Sequence, residues 1–467
     1  MLGRHQLLIK VAKHLFVLLL ANTISALQLS YGANCNLREA VERHQRLDNF
    51  LEQKFDHYWY GTKPTSGFRA QRLEAIVSNL PPETGVLFYA MSTEPDFIFP
   101  NRPILEAIPP QFLCVWLLDR GRPVTEVEVT LDQDSAPALL NLADDIRSSL
   151  ALDDPRNGWR GPDASKRVLA TMRPPNHASV RPPSAVLEEA TQFLLPGSIL
   201  REILSRDYRR LIVVPSRNFG SIPYAALPVD RERQLVDLLS IVLMPTFLPS
   251  ESYRTEPSAT KSMVSLVVGD PQVVRGDKLV RRGPDNGFVR LDGAREEAKR
   301  VAELFGVRPL LGAEATQSAV VSAAQNSDFI YFATHGVAND TDPNDRSYLL
   351  LSDGALTARK IAKLKLSRRP VVVMSACQTA LGKTFESGVI GLAKAWKYAG
   401  ASTVVMTTWN VYDTATRDLM IEFMTLLKNG MPVDTALQRA MRVTKGKSEY
   451  SHPIYWAGFL IYGSPNM

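Results

Sequence analysis

Two segments of the chain end an apolar run in a residue that can take part in nucleophilic catalysis. The run 329–332 leads to His335 and Gly336, and the run 370–374 leads to Cys377. A cysteine attacks only as a thiolate, and a free thiol is mostly protonated at neutral pH, so it needs a base or a positive field beside it. A histidine can take that proton and later deliver it to a leaving amine. The pair therefore indicates acyl transfer through an acyl-enzyme on the cysteine.

This chemistry requires the two segments to end side by side, which depends on the elements that carry them. Short apolar runs rich in β-branched or aromatic residues predict strands. These runs are 86–89, 112–118, 124–129, 211–214, 265–268, 329–332, 370–374 and 403–406. Helical patterns lie between members of the later set, at 294–304, 358–364, 389–398, 414–427 and 433–443. The alternation predicts an α/β fold with a mostly parallel sheet, helices on both faces and two related halves.

In such a sheet the reactive site lies outside the carboxyl ends of the strands, where loops meet. His335 and Cys377 both follow predicted strands, so neighbouring parallel strands would bring their side chains together. The backbone N–H groups of Gly336 and Cys377 are freed where the strands end, and they can stabilise a developing oxyanion. A glycine suits this place because it has no side chain to block a substrate.

Composition, charge and motif content argue against several classes of function. The chain has 467 residues, of which 45% are hydrophobic and 22% charged, as in an ordinary globular protein. Its formal net charge of +6 arises from the first residues and from 151–185, and the remainder is about neutral. We therefore expect no nucleic-acid partner. The sequence has no zinc-ligand spacing and no G-x-x-x-x-G-K-[ST] loop, so we expect no metal and no cofactor.

Residues 1–26 have the layout of a secretory signal peptide. A basic head precedes the apolar run 15–21, and small and polar residues follow it up to Ala26. The apolar run is too short to cross a hydrocarbon core of about 30 Å comfortably, so no stable membrane span is expected. We expect export to the periplasm or the cell exterior after cleavage at Ala26. Without cleavage, the chain would be cytoplasmic with a buried or amphipathic N-terminal helix.

Three cysteines, at positions 35, 114 and 377, are too few for a disulfide framework. In an oxidising compartment Cys35 could pair with Cys114. The interpretation that we favour is three unconnected cysteines, with Cys114 in a buried strand.

A series of short motifs follows one another along the chain. They are RLIVVP at 210–215, IPYAAL at 222–227, LDGAREEA at 291–298, FATHG at 332–336, LLLSDG at 349–354, LTA at 356–358, SACQTALG at 375–382, AGA at 399–401, WNVYD at 409–413 and PIYWAGF at 453–459. In this order they resemble the CHAT family of caspase-like domains, which are related to separase, and the resemblance covers nearly all of 85–463. The residues at 375–379 also agree at three of five positions with the caspase signature Q-A-C-[RQG]-G. Each motif alone is weak, but their order and spacing are specific.

The resemblance implies a domain organisation. A short helical segment at 27–84 precedes a degenerate first half at 85–250, and a catalytic second half follows at 251–467. The stretch 152–186 is rich in Pro, Gly and charge, and it predicts a mobile insertion in the first half.

The resemblance also implies roles for single residues. His335 is the general base and acid, Cys377 is the nucleophile, and Gly336 with Cys377 forms the oxyanion hole. Asp413 matches a segment that helps to form the S1 pocket, where a carboxylate favours a basic P1 side chain; the residue also fits a helix N-cap before 414–427. Glu386 lies in a stretch that often frames the substrate groove, although a solvated loop fits it as well.

Residues and resemblance together predict a caspase-like cysteine endopeptidase that hydrolyses a protein or peptide substrate. Two alternatives remain: a catalytically silent scaffold whose groove binds a partner, and a thiol acyl hydrolase or transferase on the same fold. Many family members carry tetratricopeptide repeats before the protease, and 27–84 is too short for such an array. We therefore expect regulation through 27–84, through 152–186 or by another protein.

Overall fold

The structure, a computed structural model, describes residues 35–45, 73–92, 109–152, 181–244, 263–272, 292–339, 344–375, 383–385, 388–409 and 413–463. Within these ranges the strands are β1 Thr84–Met91, β2 Phe112–Leu118, β3 Thr125–Thr130, β4 Arg210–Val214, β5 Ser240–Leu243, β6 Ser265–Pro271, β7 Leu310–Gly312, β8 Phe329–Ala333, β9 Gly336–Val337, β10 Tyr348–Leu351, β11 Gly354–Thr357, β12 Val371–Ser375, β13 Lys383–Phe385, β14 Gly388–Ile390, β15 Thr403–Thr407 and β16 Phe459–Gly463.

The α-helices of the described ranges pack around these strands. They are α1 at 37–45, α2 Leu73–Ser78, α3 Ser135–Leu152, α4 Pro183–Leu194, α5 Gly197–Ser205, α6 Leu235–Leu238, α7 Asp292–Phe305, α8 Gln317–Ala324, α9 Ala358–Ala362, α10 Leu392–Tyr398, α11 Asp413–Lys428 and α12 Val433–Lys445. No helix in the described ranges is long and apolar enough to span a bilayer.

The described strands build an eleven-stranded sheet in the order β3-β2-β1-β4-β5-β16-β15-β12-β8-β6-β7. Strands β1, β4, β5 and β16 run parallel to one another. Strands β15, β12, β8, β6 and β7 form a second parallel block. The antiparallel pair β15–β16 joins the blocks, so they run in opposite directions. The prediction of a mostly parallel α/β sheet is confirmed.

Helices cover both faces of the second block. Phe305 of α7 stacks on Phe329 of β8 at a centroid distance of 5.1 Å. Trp396 of α10 contacts Phe332 at 5.5 Å. Because odd and even residues of a strand face opposite sides of a sheet, α7 and α10 lie on opposite faces. Burial on both sides explains why these strands are continuous apolar runs rather than alternating ones.

Two predicted boundaries are wrong. The helix expected at 389–398 begins only at Leu392, because Gly388–Ile390 pairs with Lys383–Phe385 in a hairpin. The insertion expected at 152–186 ends earlier, because Pro183 starts α4 at a helix position where a proline's missing N–H costs nothing. Residues 153–180 of that stretch lie outside the described ranges.

Cys114 lies in the buried strand β2, as predicted, with 3% of its surface exposed. Cys35 and Cys114 are each disulfide-bonded, so the interpretation of unconnected thiols is wrong for both. The spacing of three cysteines along a chain carries no information on which strand and helix bring sulfur atoms together.

A buried ion pair connects helix α12 of the second half to the first half. Asp434, 2% exposed, accepts hydrogen bonds of 2.6 Å from Arg210 Nε and from Ser240 Oγ, at the starts of β4 and β5. Gln438 Nε2 donates to the Val236 carbonyl at 2.9 Å. These contacts connect α12 to the amino ends of the two parallel strands of the first half.

Replacing Asp434 tests this connection. Asp434→Ala removes the carboxylate that pairs with the Arg210 charge at a mostly buried position, and we expect a loss of about 3–5 kcal/mol of unfolding free energy. Glu303→Ala, which breaks the solvent-exposed pair with Arg300, should cost less than about 1 kcal/mol. Urea unfolding of both variants measures the difference. Equal effects would show that the buried group does not stabilise the contact between the halves.

Candidate active site at the carboxyl ends of β8 and β12

The strands that precede His335 and Cys377 are adjacent and parallel. Ala333, the last residue of β8, pairs with Ser375, the last residue of β12. His335 follows Ala333 by two residues, and Cys377 follows Ser375 by two residues. Neighbouring strands lie about 4.8 Å apart, and two residues extend a chain by at most about 7 Å. Cys377 itself, in the stretch 376–382, lies outside the described ranges.

The backbone of His335 is held by a second, three-stranded sheet of β9, β10 and β11. The His335 carbonyl accepts a hydrogen bond of 2.9 Å from the Leu350 N–H. The buried Thr334 hydroxyl donates to the Leu350 carbonyl at 2.8 Å. The half-buried His335 thus leaves β8 and enters β9 with the backbone fixed on both sides.

The pairing of β9 with β10 determines where the Gly336 N–H points. Hydrogen-bonded and non-hydrogen-bonded pairs alternate along antiparallel strands. His335 and Leu350 form a hydrogen-bonded pair, so the next pair, Gly336 with Leu349, is a non-hydrogen-bonded one. The Gly336 N–H therefore points away from β10. Pairing with β10 does not occupy this donor, which is the one that sequence reasoning assigned to an oxyanion hole.

A buried hydrogen-bond chain lies beneath the two strand ends. The Tyr331 hydroxyl of β8 donates to Glu297 Oε1 of α7 at 2.8 Å, and Glu297 is 3% exposed. The Ser375 side chain of β12 hydrogen-bonds to the same Tyr331 oxygen. Burial, and then the charge and hydrogen bond of Glu297, raise the pKa of Tyr331 well above its usual value, so the hydroxyl stays protonated and donates. The chain connects the last residue of β12 to β8 and α7.

A third strand of the block also has a buried polar residue near its end. Asp270, the last residue but one of β6, lies in the left-handed region at φ +40° and accepts a 2.7 Å hydrogen bond from Arg295 Nε of α7. Gly269 allows α7 to approach this strand closely, because a Cβ there would lie 2.3 Å from that of Ala298. Sequence reasoning missed Asp270, Arg295, Glu297 and Tyr331 as site residues. Only Arg295 and Glu297 had a signal in the sequence, because both lie in the motif at 291–298.

Two predicted substrate-binding residues are placed only in part. Asp413 is the first residue of α11, which agrees within one residue with the predicted helix start, and its side chain is not described. Its role in an S1 pocket stays a prediction. Glu386 lies outside the described ranges. Among the residues that the structure does describe, no group of three or more His, Cys, Asp or Glu is arranged to hold a metal ion.

Comparison with solved structures agrees with the fold. Separase in the Saccharomyces cerevisiae separase–securin complex aligns with a TM-score of 0.50 and 13% identity, over 84% of this chain and 30% of that chain. Gingipain R, the Arg-specific cysteine proteinase of Porphyromonas gingivalis, aligns with a TM-score of 0.40 and 12% identity, over 58% of this chain and 68% of that chain. The separase alignment identifies the large, helix-flanked sheet as caspase-like.

Sequence comparison identifies the family. Tetratricopeptide repeat protein 28 of Homo sapiens is 29% identical over 304 residues, and that of Mus musculus is 27% identical over the same length. The match covers 55% of this chain but only 12% of either relative. A sequence model of the CHAT domain matches residues 184–464, which is more than half of the chain. The chain therefore belongs to the CHAT domain family.

Proposed function

We propose that the chain is a cysteine endopeptidase in which Cys377 is the nucleophile and His335 is the general base and acid. The observation that carries this proposal is the pairing of Ala333 with Ser375. Each reactive residue follows the end of its strand by two residues, and the two strand ends are paired. His335 and Cys377 therefore both follow the chain from the same side of the sheet, at the carboxyl ends of β8 and β12. This is the edge at which α/β sheets place their reactive sites.

The reaction proceeds in two halves. His335 takes the proton of the Cys377 thiol, and the thiolate attacks the carbonyl carbon of the scissile peptide bond. The oxygen of the tetrahedral intermediate becomes negative and accepts a hydrogen bond from the Gly336 N–H. The C–N bond breaks as His335 delivers its proton to the leaving amine. His335 then takes a proton from water as the hydroxide attacks the thioester carbonyl carbon. The C–S bond breaks, the carboxylic acid product leaves, and the Cys377 sulfur takes the proton back from His335.

The surroundings of the two strand ends support this assignment. The Gly336 N–H points away from β10, so the backbone ladder of the three-stranded sheet does not occupy it. The buried chain from Glu297 through Tyr331 to Ser375 fixes the strand that leads to Cys377. A reactive pair needs such rigid support because small displacements of a catalytic group cost large factors in rate.

The substrate that we propose is a protein. Separase is named in complex with a protein, securin, and the aligned relatives are named for tetratricopeptide repeats. Asp413 at the start of α11 is our candidate for an acidic S1 group, because its segment matches the family motif. Such a group selects Arg or Lys at P1 through a charge-assisted hydrogen bond.

We also propose that the chain works in an oxidising compartment, in agreement with the export that residues 1–26 predict. Disulfide-bonded Cys35 and Cys114 support this, because disulfides persist mainly outside the reducing cytosol.

Alkylation kinetics and peptide-library digestion test the dyad together. We expect the Cys377 thiol to react with a peptidyl electrophile about 10²-fold or more faster than in His335→Ala, since this is the usual contribution of a general base. Cys377→Ala should lose both labelling and digestion. Equal unfolding midpoints in urea serve as the control for folding.

Two outcomes would contradict the peptidase proposal. Labelling that is indifferent to His335→Ala, without any digestion, would indicate a silent scaffold. Labelling that depends on His335, again without digestion, would indicate a different acyl transfer reaction.

A double-mutant cycle tests the support beneath the strand ends. Tyr331→Phe removes one hydrogen-bond donor from the buried Glu297 carboxylate, and we expect a loss of about 1–3 kcal/mol of unfolding free energy. Combining it with Glu297→Met removes both partners and should restore part of that loss, giving a coupling above about 0.5 kcal/mol. Urea unfolding measures the cycle. Strictly additive effects would show that the two groups do not act as a pair.

Thiol counting and N-terminal sequencing test the compartment. Protein taken from its native source, unfolded and alkylated without reduction, should show one free thiol of three, at Cys377. Its N-terminus should be Leu27. Three free thiols together with an intact Met1 would contradict the proposal.

A further inference from the structure

A hollow of about 400 Å³ opens at the amino end of β12, far from the predicted catalytic edge. Its wall comes from 363–367, which connects α9 to β12, and from the last residues of α10. β12 extends from Val371 beside the hollow to Ser375 below the candidate site. At about 3.3 Å per residue, the two places are separated by the full length of the strand.

The hollow combines an apolar floor with a basic rim. Leu364 and Leu366 are buried, at 8% and 4% exposure, whereas Lys363 and Lys365 between them are exposed. Ala399 of the turn after α10 completes the floor. Both leucines pack into the protein and line the hollow only with their remaining surface, together with the half-buried Tyr398, whereas the two lysines lie on its solvent side. This arrangement offers apolar contact and positive charge within one small area.

The rim cations are not neutralised by neighbouring acids. Among the described residues, Lys363 and Lys365 of the rim form no salt bridge, and neither does the exposed Arg369, which lies outside the lining, two residues before β12. The nearby carboxylates have other partners: Asp328 accepts two hydrogen bonds of 2.7 Å from Arg368, and Asp345 is held by Arg359. Lys363 acts on Asp345 only through the weaker long-range charge interaction. Positive charge therefore remains in excess around the hollow.

Lys397 of α10 lies close enough to Arg369 for the charge of Arg369 to affect its pKa. Burial, and then the charge of Arg369, lower the pKa of Lys397 to about 8. Lys397 Nζ donates to the Ser402 carbonyl at 2.6 Å, which is a neutral acceptor. Arg369 adopts φ +51°, a conformation that costs a non-glycine residue free energy and that tends to persist where function requires it.

We propose that the hollow binds an acidic segment of a partner protein in which carboxylates alternate with apolar side chains. The carboxylates pair with the cations of the rim, and the apolar side chains contact the apolar lining at Tyr398, Ala399 and the accessible parts of Leu364 and Leu366. The volume suits a few side chains rather than a long groove. A nucleic-acid backbone fits less well, because it needs a longer row of unpaired cations and would meet the carboxylates of Asp328 and Asp345. The proposal does not depend on the Cys377 chemistry.

Fluorescence anisotropy with short labelled peptides tests this proposal on the full chain. The probe is an eight-residue peptide of alternating Glu and Leu, and the controls replace every Glu by Gln or every Leu by Ser. We expect saturable binding of the probe, weakened about tenfold or more in each control, because both the charge and the apolar contact contribute. Absence of binding by the Glu-Leu probe would overturn the proposal.

Matched charge variants locate the site. The triple variant Lys363→Gln, Lys365→Gln and Arg369→Asn should weaken binding about tenfold or more, and the asparagine tolerates the left-handed backbone. The control removes the same charge from exposed residues elsewhere: Arg201→Gln, Arg231→Gln and Arg439→Gln. It should change affinity less than about twofold, with unchanged unfolding midpoints in both triples.

Two results would overturn the assignment. Equal weakening by both triple variants would mean that the peptide responds only to the overall charge. Tighter binding of a single-stranded oligonucleotide, lost in the first triple variant alone, would mean that the hollow is a nucleic-acid site.

Discussion

Burial of β8 and β12 on both faces fixes their register, and the candidate site depends on that register. A shift of one residue in β8 would move Phe329 and Tyr331 away from α7 and bring Phe332 onto the wrong face. Each of these rings has a specific partner, Phe305, Glu297 or Trp396. No single contact has to be strong, because a slip breaks all of them at once. The positions from which the chain continues to His335 and Cys377 follow from this packing.

The reversal of direction at β15–β16 separates the roles of the two halves. Strands β1, β4 and β5 end at the opposite edge of the sheet from β8 and β12. The carboxyl ends of the first-half strands therefore do not lie beside those of β8 and β12, although the turn 217–221 after β4 contacts the hairpin of β13 and β14. Other contacts between the halves, such as Arg210 with Asp434, stabilise the common sheet. This arrangement agrees with a first half that keeps the fold without the reactive residues.

The sequence predicts elements well where they are long and continuously apolar, and poorly where they depend on distant partners. β2 has the predicted bounds Phe112–Leu118, whereas the four-residue β5 and the C-terminal β16 went unpredicted. Glu296 and Glu297 are neighbours of one type, yet Glu296 is exposed and Glu297 is buried against Tyr331. One residue turns a helix by about 100°, so small differences in helix orientation decide which carboxylate is buried. Only the packed structure gives that orientation.

The distribution of charge is a second property that the order of the residues alone does not reveal. The net charge outside the N-terminus and 151–185 is about zero, which indicates no binding surface in the remainder. That remainder nevertheless contains six basic residues and no acidic one in 359–369. Folding brings Asp328 and Asp345 from other segments to neutralise Arg368 and Arg359, whereas Lys363, Lys365 and Arg369 pair with no carboxylate in the part of the chain that the structure describes. The local electrostatic potential therefore depends on which charges the fold brings into pairs. The two ends of β12 differ accordingly: buried hydroxyl groups lie at Ser375, and exposed cations lie beside leucines before Val371.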